Sequence, residues 1–375
     1  MRIKYVTNVR IPTSRAQGYA IMKMCSEFGK LAETILFIPK KGNNEDRTDP
    51  FDFYKVDKSF QIKKVPSFDF LALTLRFGRL FYWLDTLSFL LMLRFKVSLQ
   101  KDDVLYTRDF LTSMVFSRQK FLVLELHDIP RSNAMFGSLV KRFQLFFVLN
   151  NNIKKDLLSF GIPENKVFVF PSGVDLDELR IGMSMQEARN KLDLPQGVKI
   201  VLYAGQFYSW KGVDTLADAA ALLPEATFVF VGGAIPESEI FIEKYKNVAN
   251  IIIRPFQERS VIAQYLKASD VLVIPNSSKK QISSRYTSPL KMFEYMAVQK
   301  PIVASDLPSL REVLTEDDCL FATADGPQDF ARAIKKVLDD PGLGTSLSNN
   351  AFAKVGQFTW DKRAKGIFDK IRSWT

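Results

Sequence analysis

The chain has 375 residues, 47% hydrophobic and 25% charged, which is typical of a globular protein large enough for two domains with separate cores. Its two cysteines, Cys25 and Cys319, lie far apart, and His127 is the single histidine, so a disulfide framework and a cysteine- or histidine-rich metal site are excluded. The net charge of +11 favours an anionic partner, although a basic protein without such a partner stays open.

Short apolar runs alternate with amphipathic stretches along the chain, which is the pattern of a parallel α/β architecture. In the first half, a helix is predicted around residues 19–28. The predicted strands there are Ile3–Thr7, Thr34–Ile38, Val104–Tyr106, Phe121–Glu125, Leu145–Leu149 and Val167–Phe170.

The segment 69–97 combines basic residues with many bulky apolar ones. The bulky residues are Phe77, Phe81, Trp83, Phe89, Leu90 and Leu93. Its longest uncharged run, 86–93, is too short to cross a membrane. We predict an interfacial element that binds an anionic membrane surface. The alternative is a pair of core helices whose arginines extend to water.

The second half repeats the α/β pattern. Strands are predicted at Lys199–Ala204, Thr227–Val231, Ile251–Ile253, Val271–Ile274 and Pro301–Ala304, and helices at Val213–Leu223, Ser260–Ala268, Leu290–Val298, Pro327–Leu338, Gly342–Val355 and Trp360–Ser373. We therefore predict two Rossmann-like, doubly wound α/β domains, 1–180 and 181–358, and a final helical segment, 359–375. In such sheets ligands bind at the carboxyl ends of strands.

Two loops that follow predicted strands carry candidate binding residues. Gly205 allows close approach of a ligand, and Lys211, just before a helix, suits a diphosphate. An ordinary strand–helix turn with a solvated lysine is the alternative. At the helix near 290, Thr287 or Ser288 is expected to be the N-cap, which would direct backbone N–H groups at a phosphate.

Motifs in both halves resemble family 4 of the retaining glycosyltransferases, within glycosyl transferases group 1. The strongest match is Pro289-Leu-Lys-Met-Phe-Glu-Tyr-Met-Ala, followed by Pro301-Ile-Val-Ala-Ser and Asp306-Leu-Pro-Ser-Leu-Arg-Glu-Val-Leu. Further matches are 205–214, Phe230-Val-Gly-Gly, Ala268-Ser-Asp-Val-Leu-Val-Ile-Pro, Pro171-Ser-Gly-Val-Asp and Phe358-Thr-Trp-Asp-Lys-Arg-Ala. The resemblance covers nearly the whole chain and is strongest from 167 to 315.

The resemblance implies the GT-B fold, in which two Rossmann-like domains face each other across a cleft. The C-terminal domain would bind the donor nucleotide, the N-terminal domain the acceptor, and the final helix would return to the N-terminal domain. The start of the helix at Thr287, Ser288 and Leu290 would contact the donor.

The resemblance also assigns roles to single residues. The family's two glutamates fall on Tyr286, which would contact the donor sugar, and on Glu294, which would hold the ribose. The family's phosphate-binding Arg and Lys fall on Gln206 and Lys211. One cation is therefore missing, and Arg285 or Arg108 is expected to compensate.

In the first half, the loop from Arg10 to Ala20 is similar to the family's glycine loop, where Gly18 would allow backbone N–H groups to face the diphosphate. His127 follows an apolar strand, at the place of a family histidine close to the donor sugar. We expect its neutral imidazole to hydrogen-bond a sugar hydroxyl. A structural histidine is the alternative, and Arg108 can likewise form a plain ion pair with Asp109.

The predicted function is transfer of a sugar from a nucleoside diphosphate sugar, expected to be a UDP-sugar, to a hydroxyl of a lipid-linked or polysaccharide acceptor. Apart from this co-substrate no cofactor is expected, and no metal, because no acidic D-x-D cluster lies in a predicted cleft loop. The expected location is the inner face of the plasma membrane, in the cytoplasm. Nucleic acid is not expected as a partner, because no reading motif is present.

Three other functions were compared with the glycosyltransferase prediction. A nucleotide-sugar epimerase matches the motifs less well, and a dehydrogenase would need the G-x-G-x-x-G pattern that the chain lacks after its first strand. A non-catalytic subunit that binds a nucleotide sugar or a partner enzyme is kept open by Tyr286 and Gln206. Nucleotide binding without turnover would distinguish it.

Overall fold

The computed structural model describes residues 1–41, 48–69, 78–116, 120–130 and 133–375, and it divides into two compact units. The N-terminal unit comprises 1–171 and 360–375, and the C-terminal unit comprises 172–359. The division precedes the predicted boundary at 180 because the residues after Pro171 pack in the C-terminal unit. The Ser172 hydroxyl donates to the Ser288 carbonyl at 2.6 Å, and the Val174 N–H donates to the Phe358 carbonyl at 2.9 Å.

The N-terminal unit is built on a parallel seven-stranded sheet with the order β3-β2-β1-β4-β5-β6-β7. Its strands are β1 Arg2–Val6, β2 Thr34–Lys40, β3 Gln61–Pro66, β4 Asp103–Thr107, β5 Phe121–Leu126, β6 Leu145–Val148 and β7 Val167–Val169. Its first five helices are α1 Ala16–Leu31, α2 Pro50–Tyr54, α3 Arg79–Lys96, α4 Asn133–Val140 and α5 Asn151–Leu158. The six predicted strands are confirmed. The edge strand β3 escaped prediction, because its residues are largely exposed and do not form an apolar run.

The C-terminal unit contains a parallel six-stranded sheet with the order β10-β9-β8-β11-β12-β13. Its strands are β8 Lys199–Gly205, β9 Ala226–Gly232, β10 Ile251–Arg254, β11 Val271–Ile274, β12 Ile302–Ser305 and β13 Leu320–Ala322. Its helices are α6 Met185–Lys191, α7 Val213–Ala220, α8 Glu237–Tyr245, α9 Arg259–Ala268, α10 Leu290–Ala297, α11 Pro308–Arg311, α12 Pro327–Asp339 and α13 Pro341–Val355. Two parallel sheets with flanking helices confirm the predicted α/β class and its Rossmann-like units.

The last helix, α14 Trp360–Arg372, packs on α1 of the N-terminal unit, as the resemblance implied. Its apolar face, Ala364, Ile367 and Ile371, is fully buried. The Trp360 ring meets the Tyr19 ring edge to face, with centroids 6.2 Å apart. Helix α14 therefore belongs to the core of the N-terminal unit.

Helix α3 corrects part of the interpretation of 69–97. Phe89, Leu90 and Leu93 are at most 2% exposed and face the core, so they do not offer a membrane surface. The helix instead exposes a different apolar stripe, spaced by three or four residues: Leu80, Leu84, Leu87, Leu91 and Phe95. Residues 70–77, with Phe77, lie outside the described residues. Within the part of the chain that the structure describes, no helix is long and apolar enough to cross a membrane.

Candidate functional site

The sheet order places the candidate residues at the carboxyl ends of neighbouring strands. The order reverses between β1 and β4 in one unit and between β8 and β11 in the other, and ligands of doubly wound sheets bind at such points. Lys211 follows β8, and Arg108 follows β4 directly. The predicted residues therefore lie at two switch points, one in each unit.

In the C-terminal unit, a tight turn after β8 positions Lys211. The Lys211 N–H donates to the Tyr208 carbonyl at 2.8 Å, and the turn ends at Gly212, whose φ of 69° is left-handed. A Cβ at Gly212 would lie 1.8 Å from the Pro275 carbonyl oxygen, so only glycine fits there. The Lys211 ammonium lies 3.9 Å from the centre of the Trp210 ring.

A second lysine, Lys291 in the first turn of α10, reaches the same place from the other side. Its Nζ lies 3.6 Å from the centre of the Tyr203 ring. A Cβ on Gly205 would lie 2.7 Å from this Nζ, so the glycine leaves room for the lysine end. The side chain is buried and, among the described residues, its Nζ has no hydrogen-bond partner. Because buried polar groups almost always have a partner, this ammonium indicates an anion site.

The two lysines repel each other in a poorly solvated place. Burial lowers the pKa of Lys211 to about 8. Burial, and then the charge of Lys211, hold the pKa of Lys291 well below its usual range, against a smaller opposing effect of Glu294. A bound diphosphate would relieve this repulsion, because its negative charge favours the ammonium form of both side chains. The structure thus supplies a second cation, where the sequence interpretation turned to Arg285 or Arg108.

Further unsatisfied polar atoms lie at the same edge of the sheet. Within the described residues, Oε1 of Gln206, both side-chain polar atoms of Asn276 and Oγ of Ser305 are buried without a hydrogen-bond partner. Gln206 follows β8, Asn276 follows β11, and Ser305 ends β12. Unpaired amides and hydroxyls beside two cations suit a ligand that is both charged and rich in hydrogen-bonding groups.

The helix near 290 begins at Leu290 as predicted, but its N-cap differs from the prediction. Pro289, and not Thr287 or Ser288, occupies the N-cap position, and no side chain caps the helix. The Ser288 hydroxyl instead accepts the Ser172 N–H at 3.1 Å. The first N–H groups of α10, from Leu290 onward, therefore have no side-chain competitor for an anion.

Tyr286 and Arg285 end a π-helical turn, Ile282–Tyr286, that leads into α10. Tyr286 is 6% exposed, and the Arg285 guanidinium lies 5.8 Å from the centre of its ring. Arg285 thus contacts the tyrosine that replaces the family's first glutamate.

Glu294, the predicted ribose ligand, is engaged in an ion pair that the sequence did not indicate. Its Oε1 accepts from Arg259 at 2.6 Å, and Arg259 also lies 3.3 Å from Glu178. Arg259 begins α9, so the pair fixes the carboxylate between two helices. A ribose would meet a carboxylate already held in place.

In the N-terminal unit, Gly18 plays a different role from the predicted one. It lies in the first turn of α1, and its N–H donates to the Arg15 carbonyl at 3.0 Å. A Cβ on Gly18 would lie 2.2 Å from the Tyr54 hydroxyl, which donates to the Thr13 carbonyl at 2.7 Å. Gly18 therefore makes room for Tyr54, and its own N–H is already used.

His127 follows β5 and is held by Glu125 of the same strand. Its Nε2 lies 2.6 Å from Oε1 of Glu125, which also accepts from Arg108 at 2.8 Å. The alternative pair of Arg108 with Asp109 does not form, because Asp109 accepts the Leu111 N–H at 2.9 Å. Burial, and then the charge of Arg108, lower the pKa of His127 to about 4, although 38% of its side chain is accessible. A pKa in this range keeps the imidazole neutral near pH 7.

Sequence reasoning missed three residues of these sites. Lys291 is part of the quoted helix motif, and its apolar neighbours were a usable signal of burial. Glu125 interrupts an apolar strand, which is an equally local signal. Arg363 of α14, which binds Glu125 at 3.2 Å, follows it by 238 residues and has no local signal.

Comparison with known proteins found a matching family model, curated relatives and solved structures of the same fold. Residues 184–354 match the family model described as glycosyl transferases group 1. The C-terminal unit is therefore similar to this family over less than half of the chain. The matched range contains Lys211, Lys291 and Glu294, whereas His127 lies outside it.

Curated relatives of the chain are named D-inositol 3-phosphate glycosyltransferase. The protein of Xylanimonas cellulosilytica is 27% identical over 223 residues, which are 56% of this chain and 52% of the relative. That of Kineococcus radiotolerans is 25% identical over 237 residues, covering 57% and 53%. The chain thus aligns with about half the length of these relatives.

Solved structures with the same fold cover the whole chain. HepE of Anabaena in complex with UDP has a TM-score of 0.78 at 16% identity, with 100% of both chains covered. Sucrose-phosphate synthase of Thermosynechococcus elongatus has a TM-score of 0.77 at 18% identity, covering 100% of this chain and 98% of the other. At such identities the likeness shows a shared fold and nothing more.

Proposed function

We propose that the protein is a glycosyltransferase that moves a sugar from a nucleoside diphosphate sugar to a hydroxyl group. The observation that carries this proposal is the Lys291 ammonium, which is buried without a partner beside Lys211 at the switch point of the C-terminal sheet. Departure of the sugar leaves negative charge on the diphosphate, and preorganised cations stabilise such charge strongly in a poorly solvated place. The pair therefore supports a role in chemistry as well as in binding.

The proposed donor is a UDP-sugar that binds the C-terminal unit. Support comes from the fold relatives HepE, solved with UDP-glucose, and a trehalose-6-phosphate protein of Escherichia coli, solved with UDP-2-fluoro glucose. Glu294 would accept a ribose hydroxyl, and Tyr286 would contact the sugar. His127 would hydrogen-bond a sugar hydroxyl.

We propose that the reaction retains the configuration of the sugar and needs no metal. The resemblance to family 4 supports retention, in which the leaving diphosphate helps to deprotonate the acceptor on the same face. Lys211 and Lys291 support a metal-independent reaction, since together they carry the countercharge that a divalent cation supplies in other transferases. No other cofactor than the donor is proposed.

We propose a lipid-linked or polysaccharide acceptor and peripheral binding to an anionic membrane on its cytoplasmic side. The exposed stripe of α3 supports this, because five apolar side chains on one helix face exceed what scattered surface residues explain. The exposed Arg94 and Lys96 near its end suit anionic headgroups. A lipid-linked acceptor would be presented at the same surface.

The test combines a thermal shift with turnover, both without added metal. UDP should raise the melting temperature more than GDP or ADP, because a ligand that binds only the folded state stabilises it by mass action. UDP should also appear when a UDP-sugar and a lipid acceptor are supplied. A shift without turnover across sugars and acceptors would favour the non-catalytic subunit, and no shift with any nucleotide would reject the proposal.

A further inference from the structure

Glu125 in β5 is the centre of a buried network in the N-terminal unit. The residue is fully buried, and four side chains lie within hydrogen-bond distance of its two oxygens. Oε1 accepts from Arg108 at 2.8 Å and from Arg363 at 3.2 Å and lies 2.6 Å from Nε2 of His127, and Oε2 accepts from the Tyr106 hydroxyl. Two guanidinium groups on one oxygen and a hydroxyl donor on the other suit an ionised carboxylate, which can only accept.

A buried carboxylate keeps its charge only if cations compensate for lost hydration. Burial alone would raise the pKa of Glu125, but Arg108 and then Arg363 hold it well below its usual range. Among the described residues, Tyr5 of β1, Cys25 of α1 and Tyr106 of β4 also interact electrostatically with Glu125. Burial holds the pKa of each of these three well above its usual value, so they add no charge.

The carboxylate decides which nitrogen of His127 carries the proton. Since Glu125 can only accept, Nε2 must be the donor, and the neutral ring then has its lone pair on Nδ1. An imidazole fixed in this way offers Nδ1 as an acceptor for a hydroxyl. If Glu125 were protonated, Nε2 would lose its acceptor and the ring its preferred tautomer.

Arg363 comes from the helix that ends the chain. Its Nε donates to the Pro171 carbonyl at 2.7 Å, which orients the guanidinium toward Glu125. The helix is fixed closely, because a Cβ on Gly366 would lie 2.5 Å from the Phe170 ring. Arg363 is 5% exposed, so its charge acts in a poorly solvated place.

We propose that Arg363 is a positioning residue for His127: acting through Glu125, together with Arg108, it keeps the imidazole in the Nε2–H tautomer with Nδ1 ready to accept a hydroxyl. The sugar-binding role of His127 rests on the proposed function, but the tautomer does not. The docking of the terminal helix thereby becomes part of the site.

The experiment uses the fact that His127 is the only histidine. In NMR spectra of protein labelled with ¹⁵N-histidine, the signals of the two ring nitrogens can come only from His127. They report its tautomer and protonation without any substrate. The wild type should show the Nε2–H tautomer and no protonation down to about pH 5. The Nδ1–H tautomer, or protonation near the ordinary value of about 6.5, would overturn the proposal.

Arg363→Met, Arg363→Lys and the control Arg372→Met separate positioning from structure. Arg372 lies on the same helix with 71% of its side chain exposed. Loss of the Arg363 charge should raise the pKa of His127 and mix the tautomers, while lysine should restore part of both effects. Arg372→Met should leave them unchanged. If Arg363→Met does not fold, Arg363→Lys decides alone, since loss of the guanidinium fork should still broaden the tautomer preference.

Turnover gives the second measurement. Arg363→Met should lower kcat about 10–100-fold and introduce a fall in activity below about pH 6, because protonated His127 no longer accepts at Nδ1. The Kd for UDP should stay within about twofold. A folded Arg363→Met protein with unchanged His127 signals and unchanged pH profile would refute the positioning role. Altered signals in a protein without any transferase activity would reject the proposed function and keep the tautomer assignment.

Discussion

Replacing Lys291 with methionine should strengthen the fold and weaken nucleotide binding at the same time. The two side chains are similar in length, so the change removes the amine and little volume. The amine is buried without a hydrogen-bond partner among the described residues. Leaving a polar group in that state costs about 1–3 kcal/mol of stability.

The contact with the Tyr203 ring changes this estimate only slightly. A cation–π contact returns at most about 2 kcal/mol, and the methionine sulfur offers an aromatic contact of about 0.3–1.5 kcal/mol in its place. We expect a net gain of about 1–2 kcal/mol. At about 2–4 °C per kcal/mol, the melting temperature without ligand should rise by about 2–8 °C.

Binding should change in the opposite direction. A hydrogen bond to a charged group is worth about 1.5–3 kcal/mol, so the Kd for UDP should rise about 10–150-fold. Calorimetric titration and thermal unfolding of the same preparation measure both effects. Lys335→Met is the control, because Lys335 is 54% exposed and pairs with Asp339 at the surface. It should change stability by less than about 0.5 kcal/mol and leave the Kd unchanged.

Two results would contradict this reasoning. An unchanged Kd for UDP in Lys291→Met would show that the amine does not face the diphosphate. A lower melting temperature without ligand would show that the amine has a stabilising partner in the free protein.

Three further predictions follow from the same contacts. The affinity for UDP should fall as the pH rises above about 8, because the pKa of Lys211 is lowered to about 8 and only the ammonium attracts the diphosphate; a constant Kd from pH 7 to 9.5 in calorimetry would disprove this. Gly205→Ala should lower the free energy of unfolding by about 1–3 kcal/mol and weaken UDP binding, because the φ of Gly205 is 148° and the new Cβ displaces Lys291. Gly182→Ala is the control, because its new Cβ meets no neighbour and should change neither stability nor UDP binding. Replacing Leu87 and Leu91, which are 48% and 58% exposed, with serine should lower binding to anionic vesicles at least tenfold without loss of stability. Equal vesicle binding by this variant and the wild type would argue against the membrane surface, and Leu222→Ser is the matched control.

The predicted and observed strands show where sequence reasoning succeeds. Strands such as β8 and β11 are apolar runs flanked by turns, because parallel strands are buried on both faces, and this pattern is readable from a few neighbouring residues. The edge strand β3 lacks such a run and the apolar run of β13 is short, and both strands were missed. Helix α10 begins at the predicted Leu290, but its N-cap was misplaced by one or two residues, because the Ser288 hydroxyl binds Ser172, far away in sequence.

Some residues of the candidate sites could likewise be predicted from local sequence, and others could not. The loop of Lys211 and the helix of Glu294 were found from motifs, because turn chemistry and helix starts are local. The pairing of Glu294 with Arg259 was not predictable, since it depends on how α9 packs beside α10. Likewise, Gly18 was assigned to a ligand, because nothing nearby indicates the Tyr54 hydroxyl that fills its space.

By itself, the sequence determined the α/β class, the alternation of its elements and the resemblance of its C-terminal half to glycosyl transferases group 1, because periodicity and motifs depend on residues close together in the chain. Only the tertiary structure decided which face of α3 is exposed, that Lys291 completes the cation pair, and that Arg363 reaches Glu125 across 238 residues. The physical reason is that burial and charge act through space. A lysine becomes an anion ligand, and a histidine takes one tautomer, only when folding removes water and brings distant charges within a few ångströms.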